Sequence, residues 1–164
     1  MENARPYLFR SPYCYAEFLE SLKEQVAKID RPNVRMTIDF GHLYLAACFY
    51  DFEPIQSTRG ASALIAHAHI HDNFGIPTYY NETEPSRLIP FGKGDCHMPI
   101  GWGKVPVQNF LSTFIVGYEG TLLIETGKRY LEHAAESRAR LQVMCDSIMS
   151  ASLKANEGDE KRVA

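Results

Sequence analysis

Four short stretches of this sequence carry side chains of the kind that hold metal ions. Asp39 is followed by Gly41 and His42; His67, His69 and His71 alternate along one segment; Asp95-Cys96-His97 sets a carboxylate two residues from an imidazole; and Glu125 closes the run Thr121-Leu122-Leu123-Ile124. Carboxylates mixed with imidazoles suit Mn2+, Zn2+, Co2+ or Fe2+ better than Ca2+, which takes oxygen alone. Each residue also has a plainer reading. An Asp before a Gly is ordinarily a turn or helix-capping residue. His67 and His71 read as hydrogen-bonded histidines supporting the others, and Cys96 as a small buried hydrophobe. Trp102, the only tryptophan, either lines a pocket or covers its mouth.

The elements that must position these groups follow from periodicity. Phe18, Leu19, Leu22, Val26 and Ile29 form one helical stripe within 15–29, with Ser11-Pro12 ahead of it and Asp30-Arg31-Pro32-Asn33 as the stop. A short strand is expected over 34–39 and helices over 42–50 and 55–64. A second strand over 65–71 puts the three histidines on one face and Ala66, Ala68 and Ile70 on the other, because strand side chains alternate. The stretch 72–105, rich in Gly, Pro, Asn and aromatic residues, shows no period and reads as a long functional loop. A helix over 107–116, a strand over 121–125 and a long helix over 129–153 complete the order, with a charged, frayed tail over 154–164.

Strands alternating with helices indicate parallel, right-handed βαβ units. In such folds ligands bind at the carboxyl ends of the strands. Asp39, His69 and Glu125 all lie at strand ends and should therefore converge.

Composition narrows the function classes. The chain has 164 residues, 45% of them hydrophobic, which fits one globular domain but falls short of the roughly 200 residues a complete (β/α)8 barrel takes. A formal charge of −3 gives no basic footprint for nucleic acid. The four cysteines have no CxxC spacing, which suits a reducing compartment. With no leader-like N-terminus and no apolar run of about 18 residues, a cytoplasmic location is expected.

Taken together, "TIDFGH", "HIHDN", "DCHMPIGWGKVPVQNFL" and "GYEGTLLIET" resemble, in order and spacing, the xylose isomerase-like TIM-barrel superfamily. That superfamily includes sugar and sugar-phosphate isomerases and epimerases and metal-dependent AP endonucleases. The resemblance covers residues 1–153 and implies an α/β fold, a partial (β/α)8 barrel with roughly the last three strands and their helices. It implies that Asp39, His69 and Glu125 are metal ligands with His42 beside them. Asp95 and His97 then form the DxH pair of a second metal position, and Glu2, followed by Asn3, takes the place of the ligand from the preceding strand. The implied cofactor is a divalent ion, Mn2+, Zn2+, Co2+ or Mg2+.

On the same resemblance Glu2 and Glu125 are the catalytic acid and base that remove and return a proton through an enediolate. His71, Trp102 and Lys104 are expected at the substrate, Lys104 with Gly101 and Gly103 as a candidate phosphate loop. The expected partner is a small sugar, with neither membrane nor nucleic acid. The chain begins where the fifth strand of such a barrel should end, so a truncated sequence is expected, with Glu2 unsupported from upstream. The missing strands would come from an N-terminal half-barrel or from another copy. Two alternatives accompany this reading: zinc-dependent phosphodiester hydrolysis at abasic DNA, and a fragment that binds without turning over.

Overall fold

The computed structural model describes residues 1–6, 16–78 and 88–163, with 156–163 by backbone alone. Its centre is a parallel sheet of three strands, β1 (Met36–Asp39), β2 (Ile65–Ile70) and β3 (Thr121–Ile124), in that spatial order and not closed into a barrel. A parallel bridge between Glu2 and Thr37 adds the N-terminus beside β1. The Thr37 N–H donates to the Met1 carbonyl at 2.6 Å, so Glu2, expected to lack support from upstream, is held laterally by β1.

The register pairs Asp39 with His69 and Ile70 with Ile124. One sheet face therefore presents Met36, Ile38, Ala68 and Ile70 to the core, joined by Leu122 and Ile124. The other carries Thr37, Asp39, His67, His69 and Leu123, with Glu125 one step past β3. Leu123 is 42% exposed there.

The helices α1 (Leu19–Ile29), α2 (Phe40–Tyr50), α3 (Pro54–Ala61), α4 (Val107–Leu111) and α5 (Ala134–Val163) accompany the sheet. Leu19, Leu22 and Val26 of α1 enter the core as their stripe requires, and Asp30 in the left-handed region ends the helix with its N–H on Val26 O. Phe40 is wholly buried, 5.0 Å from Phe110 and 6.2 Å from Phe114 between ring centres. Among the described residues no helix is long and apolar enough to cross a membrane.

Three boundaries differ from expectation. The helix expected over 107–116 stops at Leu111, because Ser112 and Thr113 turn their hydroxyls back onto the Asn109 and Phe110 carbonyls and the chain continues as turns. The helix expected over 129–153 begins with a 3-10 turn over Lys128–His133 and continues to Val163, so 154–163 is helical backbone where a frayed tail was expected. The first helix starts at Leu19; the Ser11-Pro12 signal and the aromatic Tyr79-Tyr80 lie outside the described residues.

The loop from 88 to 105 is organised by a residue that sequence periodicity does not mark. Asp72 is buried, and its carboxylate accepts N–H groups from Asn73 at 2.9 Å, Gly101 at 2.8 Å and Val105 at 3.0 Å. Its backbone also pairs with Met98 in an antiparallel bridge. Gly103 must lack a side chain, since a Cβ there would overlap Asp72 and the Asn73 carbonyl. Replacing Asp72 with Ala strands three amides, two of them from the loop, and should lower the unfolding free energy by about 3 kcal/mol. Urea unfolding measures this; a loss under about 1 kcal/mol would mean that the amides find other acceptors.

Candidate metal centre

The carboxyl ends of the strands gather two adjacent groups of ligand-type side chains. Glu2, Asp39, His69 and Glu125 each offer one atom, all within 4.8 Å of one another, and His42, His71, Asp95 and His97 do the same. In the first group His69 Nδ1 stands 3.1 Å from Glu2 Oε1, 3.1 Å from Glu125 Oε2 and 3.9 Å from Asp39 Oδ2. In the second, Asp95 Oδ2 lies 3.0 Å from His42 Nε2 and 3.2 Å from His97 Nε2. His71 links the two groups, its Nε2 3.1 Å from Asp39 Oδ1 and 3.6 Å from Asp95 Oδ1.

Each side chain is aimed by a local device. Asp39 is both the last residue of β1 and the N-cap of α2, its Oδ1 accepting the His42 N–H at 2.7 Å. Its turn-residue reading and its functional reading therefore hold together. Asn3 clamps the Asp39 backbone from the other side: its Oδ1 accepts the Asp39 N–H at 2.7 Å and its Nδ2 donates to the Asp39 carbonyl at 3.0 Å. The outer nitrogens of two imidazoles in the second group are fixed by backbone carbonyls, His42 Nδ1 3.0 Å from Asn3 O and His97 Nδ1 2.9 Å from Glu125 O. Such contacts orient a ligating imidazole. His71 stacks on His97 at 4.0 Å between ring centres and rests on Gly41, where a Cβ would overlap its ring. His97 itself adopts φ 45, a left-handed conformation that costs a non-glycine residue energy and often marks functional positions.

The donor set fits a divalent cation. Asp95 Oδ1 and His71 Nδ1 are buried without a hydrogen-bond partner, and three carboxylates crowd one imidazole. Charge is compensated by protons in the protein alone. Burial opposes charging of His42 and His97, but hydrogen bonds and charge from Asp95 outweigh it and raise both to about 9. Burial likewise opposes ionisation of Asp95, and the same histidine hydrogen bonds hold it well below the usual carboxylate range. Asp39 is also lowered, burial being outweighed by the charge and hydrogen bond of His71.

Sequence reasoning brings Glu2, Asp39, His42, His69, Asp95, His97 and Glu125 together, and the structure adds His71 to them. Cys96 stays apart, its thiol donating to the Lys93 and Gly94 carbonyls at 3.1 and 3.3 Å and pushed up to about 11 by burial and by Asp95 and Asp72. The Trp102 ring packs 4.6 Å from His133 and 5.8 Å from Tyr130, and the Lys104 N–H donates to Asn73 O at 2.8 Å. Asn3, Asp72 and Asn73 were missed as supports. The pair Glu2-Asn3 and the Asp72-Asn73 of HIHDN were the available signal: Asn73 joins Gly41 O at 3.0 Å and the Gly75 N–H at 2.9 Å.

A sign follows from the raised histidines. Their pairing with Asp95 stabilises the chelator-treated chain fully below the unfolded value near 6.5 and fades as pH rises through about 9. Zn2+ entering the second group at pH 7 should displace about two protons, from His42 and His97. Calorimetry in buffers of different ionisation enthalpy reads this number, and binding without proton release would exclude those two rings as ligands.

Comparison with known proteins agrees with this architecture. A crystal structure described as that of a D-tagatose 3-epimerase-like protein superposes with a TM-score of 0.64 and 25% identity, over 92% of this chain and 48% of that one. The chain spans about half the length of that solved structure. No curated protein matches the sequence. The family model described as xylose isomerase-like TIM barrel matches residues 8–146, most of the chain. The α/β chain with its open parallel sheet therefore belongs to the xylose isomerase-like TIM-barrel family.

Proposed function

We propose that the site carries out metal-dependent isomerisation or epimerisation of a sugar or sugar phosphate by proton transfer next to a carbonyl. The observation that carries this reading is the placement of Glu2 and Glu125. They reach the same His69 nitrogen from opposite sides of the strand row, each at 3.1 Å, and their side chains are 41% and 40% exposed while Asp39 is fully buried. Asp39 is thus confined to holding and orienting, whereas the two glutamates can also face a substrate.

A divalent ion held by Glu2, Asp39, His69 and Glu125 would supply Lewis-acid polarisation of the substrate carbonyl. Glu125 removes the proton from one face as general base, and Glu2, on the other side, returns one as general acid, or the reverse. His69 sits between them, its Nδ1 3.1 Å from each carboxylate. Asn3 and the α2 N-terminus hold Asp39 so that its oxygens do not drift when the glutamates change partner. The likeness to a D-tagatose 3-epimerase-like protein supports the reaction class.

Glu125→Gln keeps the shape of the side chain and removes the base. Incorporation of solvent deuterium into a panel of ketoses, aldoses and their phosphates should fall at least about a hundredfold in this variant, with the circular dichroism spectrum unchanged. Retained exchange would sink the assignment.

The second ligand group favours a second reading, hydrolysis of a phosphodiester at abasic DNA by a multi-zinc site. The charge of −3 disfavours it. Zinc-loaded protein should leave an abasic-site oligonucleotide intact; cleavage that disappears in Asp95→Asn would instead establish hydrolysis.

A further inference from the structure

A cavity of about 660 Å3 opens beside the second ligand group, and its walls differ in chemistry. Asp95 and His97 line it together with Lys128 and Arg129, and Leu88, Ile89 and Cys96 add apolar lining. The charge of Asp95 is already met by His42 and His97. The two cations have no such match: both are exposed and, among the described residues, neither is in an ion pair. The neighbouring acids are engaged elsewhere, Glu132 with His133 and Glu136 with His133 and Arg140.

The position of these cations relative to the metal-type ligands is fixed by the backbone. The Gly127 N–H donates to His97 O at 2.8 Å, and the Tyr130 N–H donates to Gly127 O at 2.8 Å. The turn that carries Lys128 and Arg129 is thereby tied to the residue that closes the second group. Arg129 is also restrained, its guanidinium 5.9 Å from the centre of the Tyr130 ring. The loop with Gly101 and Lys104, which sequence reasoning offers for an anion, has its amides committed: Gly101 and Val105 donate to Asp72, and Lys104 to Asn73 O.

We propose that Lys128 and Arg129 form a subsite for a terminal anionic group of the substrate, a phosphate ester or a carboxylate, while its polyol part reaches the carboxylate–histidine groups. An arginine fork and a lysine point charge on adjacent residues match such a group, and Asp95, the one carboxylate lining the cavity among the described residues, is already paired with His42 and His97. The inference rests on the sugar reading above and narrows it to sugar phosphates or sugar acids.

Titration calorimetry on the chelator-treated chain, with inorganic phosphate and D-gluconate as separate probes, tests the subsite without a metal to capture either. At least one probe should bind, and the double variant Lys128→Ala/Arg129→Ala should weaken it by about tenfold or more. Phosphate alone identifies an ester and gluconate alone a sugar acid. Absence of binding by both probes overturns the proposal, as does equal binding in the double variant or loss of binding in Lys104→Ala. Deuterium exchange into neutral sugars with no anion binding would remove the subsite and leave the reaction. Anion binding with no exchange into any sugar would remove the reaction and leave the subsite.

Discussion

The register of the parallel ladder is the constraint from which the rest of the site follows. Side chains alternate along a strand and neighbouring strands lie about 4.8 Å apart, so a single pairing decides which residues share a face and a level. Asp39 opposite His69 and Ile70 opposite Ile124 place one acidic or imidazole residue from each strand at the same rim, with Glu2 added by its bridge to Thr37. A slip of one residue would send Asp39 and His69 into the apolar layer and bring Ile38 and Ala68 to the rim. The hydrophobic core against α1, α2 and α4 forbids that slip, so the packing of Ile38, Ala68 and Ile70 fixes the chemistry on the opposite face.

The second constraint is electrostatic. Six ionisable side chains with little access to water cannot be gathered at a sheet edge unless each charge meets another. Here histidine protons and the His42 backbone amide at the α2 N-terminus meet the carboxylates, while Asn3 fixes the Asp39 backbone. The arrangement is therefore exchangeable: a cation can replace the protons because the lone pairs already converge, and the Asp72 network holds the Asp95–His97 segment in place while it does so.

Much of this is legible in the sequence because the strands are short and end on distinctive residues. Asp39, His69 and Glu125 follow from period-two alternation and from the rule that parallel strands present their carboxyl ends to ligands. Supports drawn from remote segments are not legible in that way. Asp72 takes amides 29 and 33 residues away, and Asn3 reaches Asp39 across 36 residues. No local pattern encodes such contacts; only the motif order hinted at them. The loop that carries Trp102 and Lys104 shows the same dependence on remote partners: the Gly101 and Val105 amides go to Asp72, the Lys104 amide to Asn73 O, and the Trp102 ring packs on Tyr130 and His133. The cations that line the cavity, Lys128 and Arg129, sit just after Glu125 in the 3-10 turn Lys128–His133.

Gly41 shows how such a site shapes the substitutions the chain can accept. It lies in the first turn of α2, where alanine would ordinarily favour the helix by up to about 1 kcal/mol. The His71 ring occupies the space that a methyl group would need, and that ring connects the two ligand groups. Local stability and functional geometry thus pull in opposite directions at one backbone atom. A search for a sturdier helix would select the residue that dismantles the centre, so the empty side of Gly41 is as much a part of the site as any donor atom.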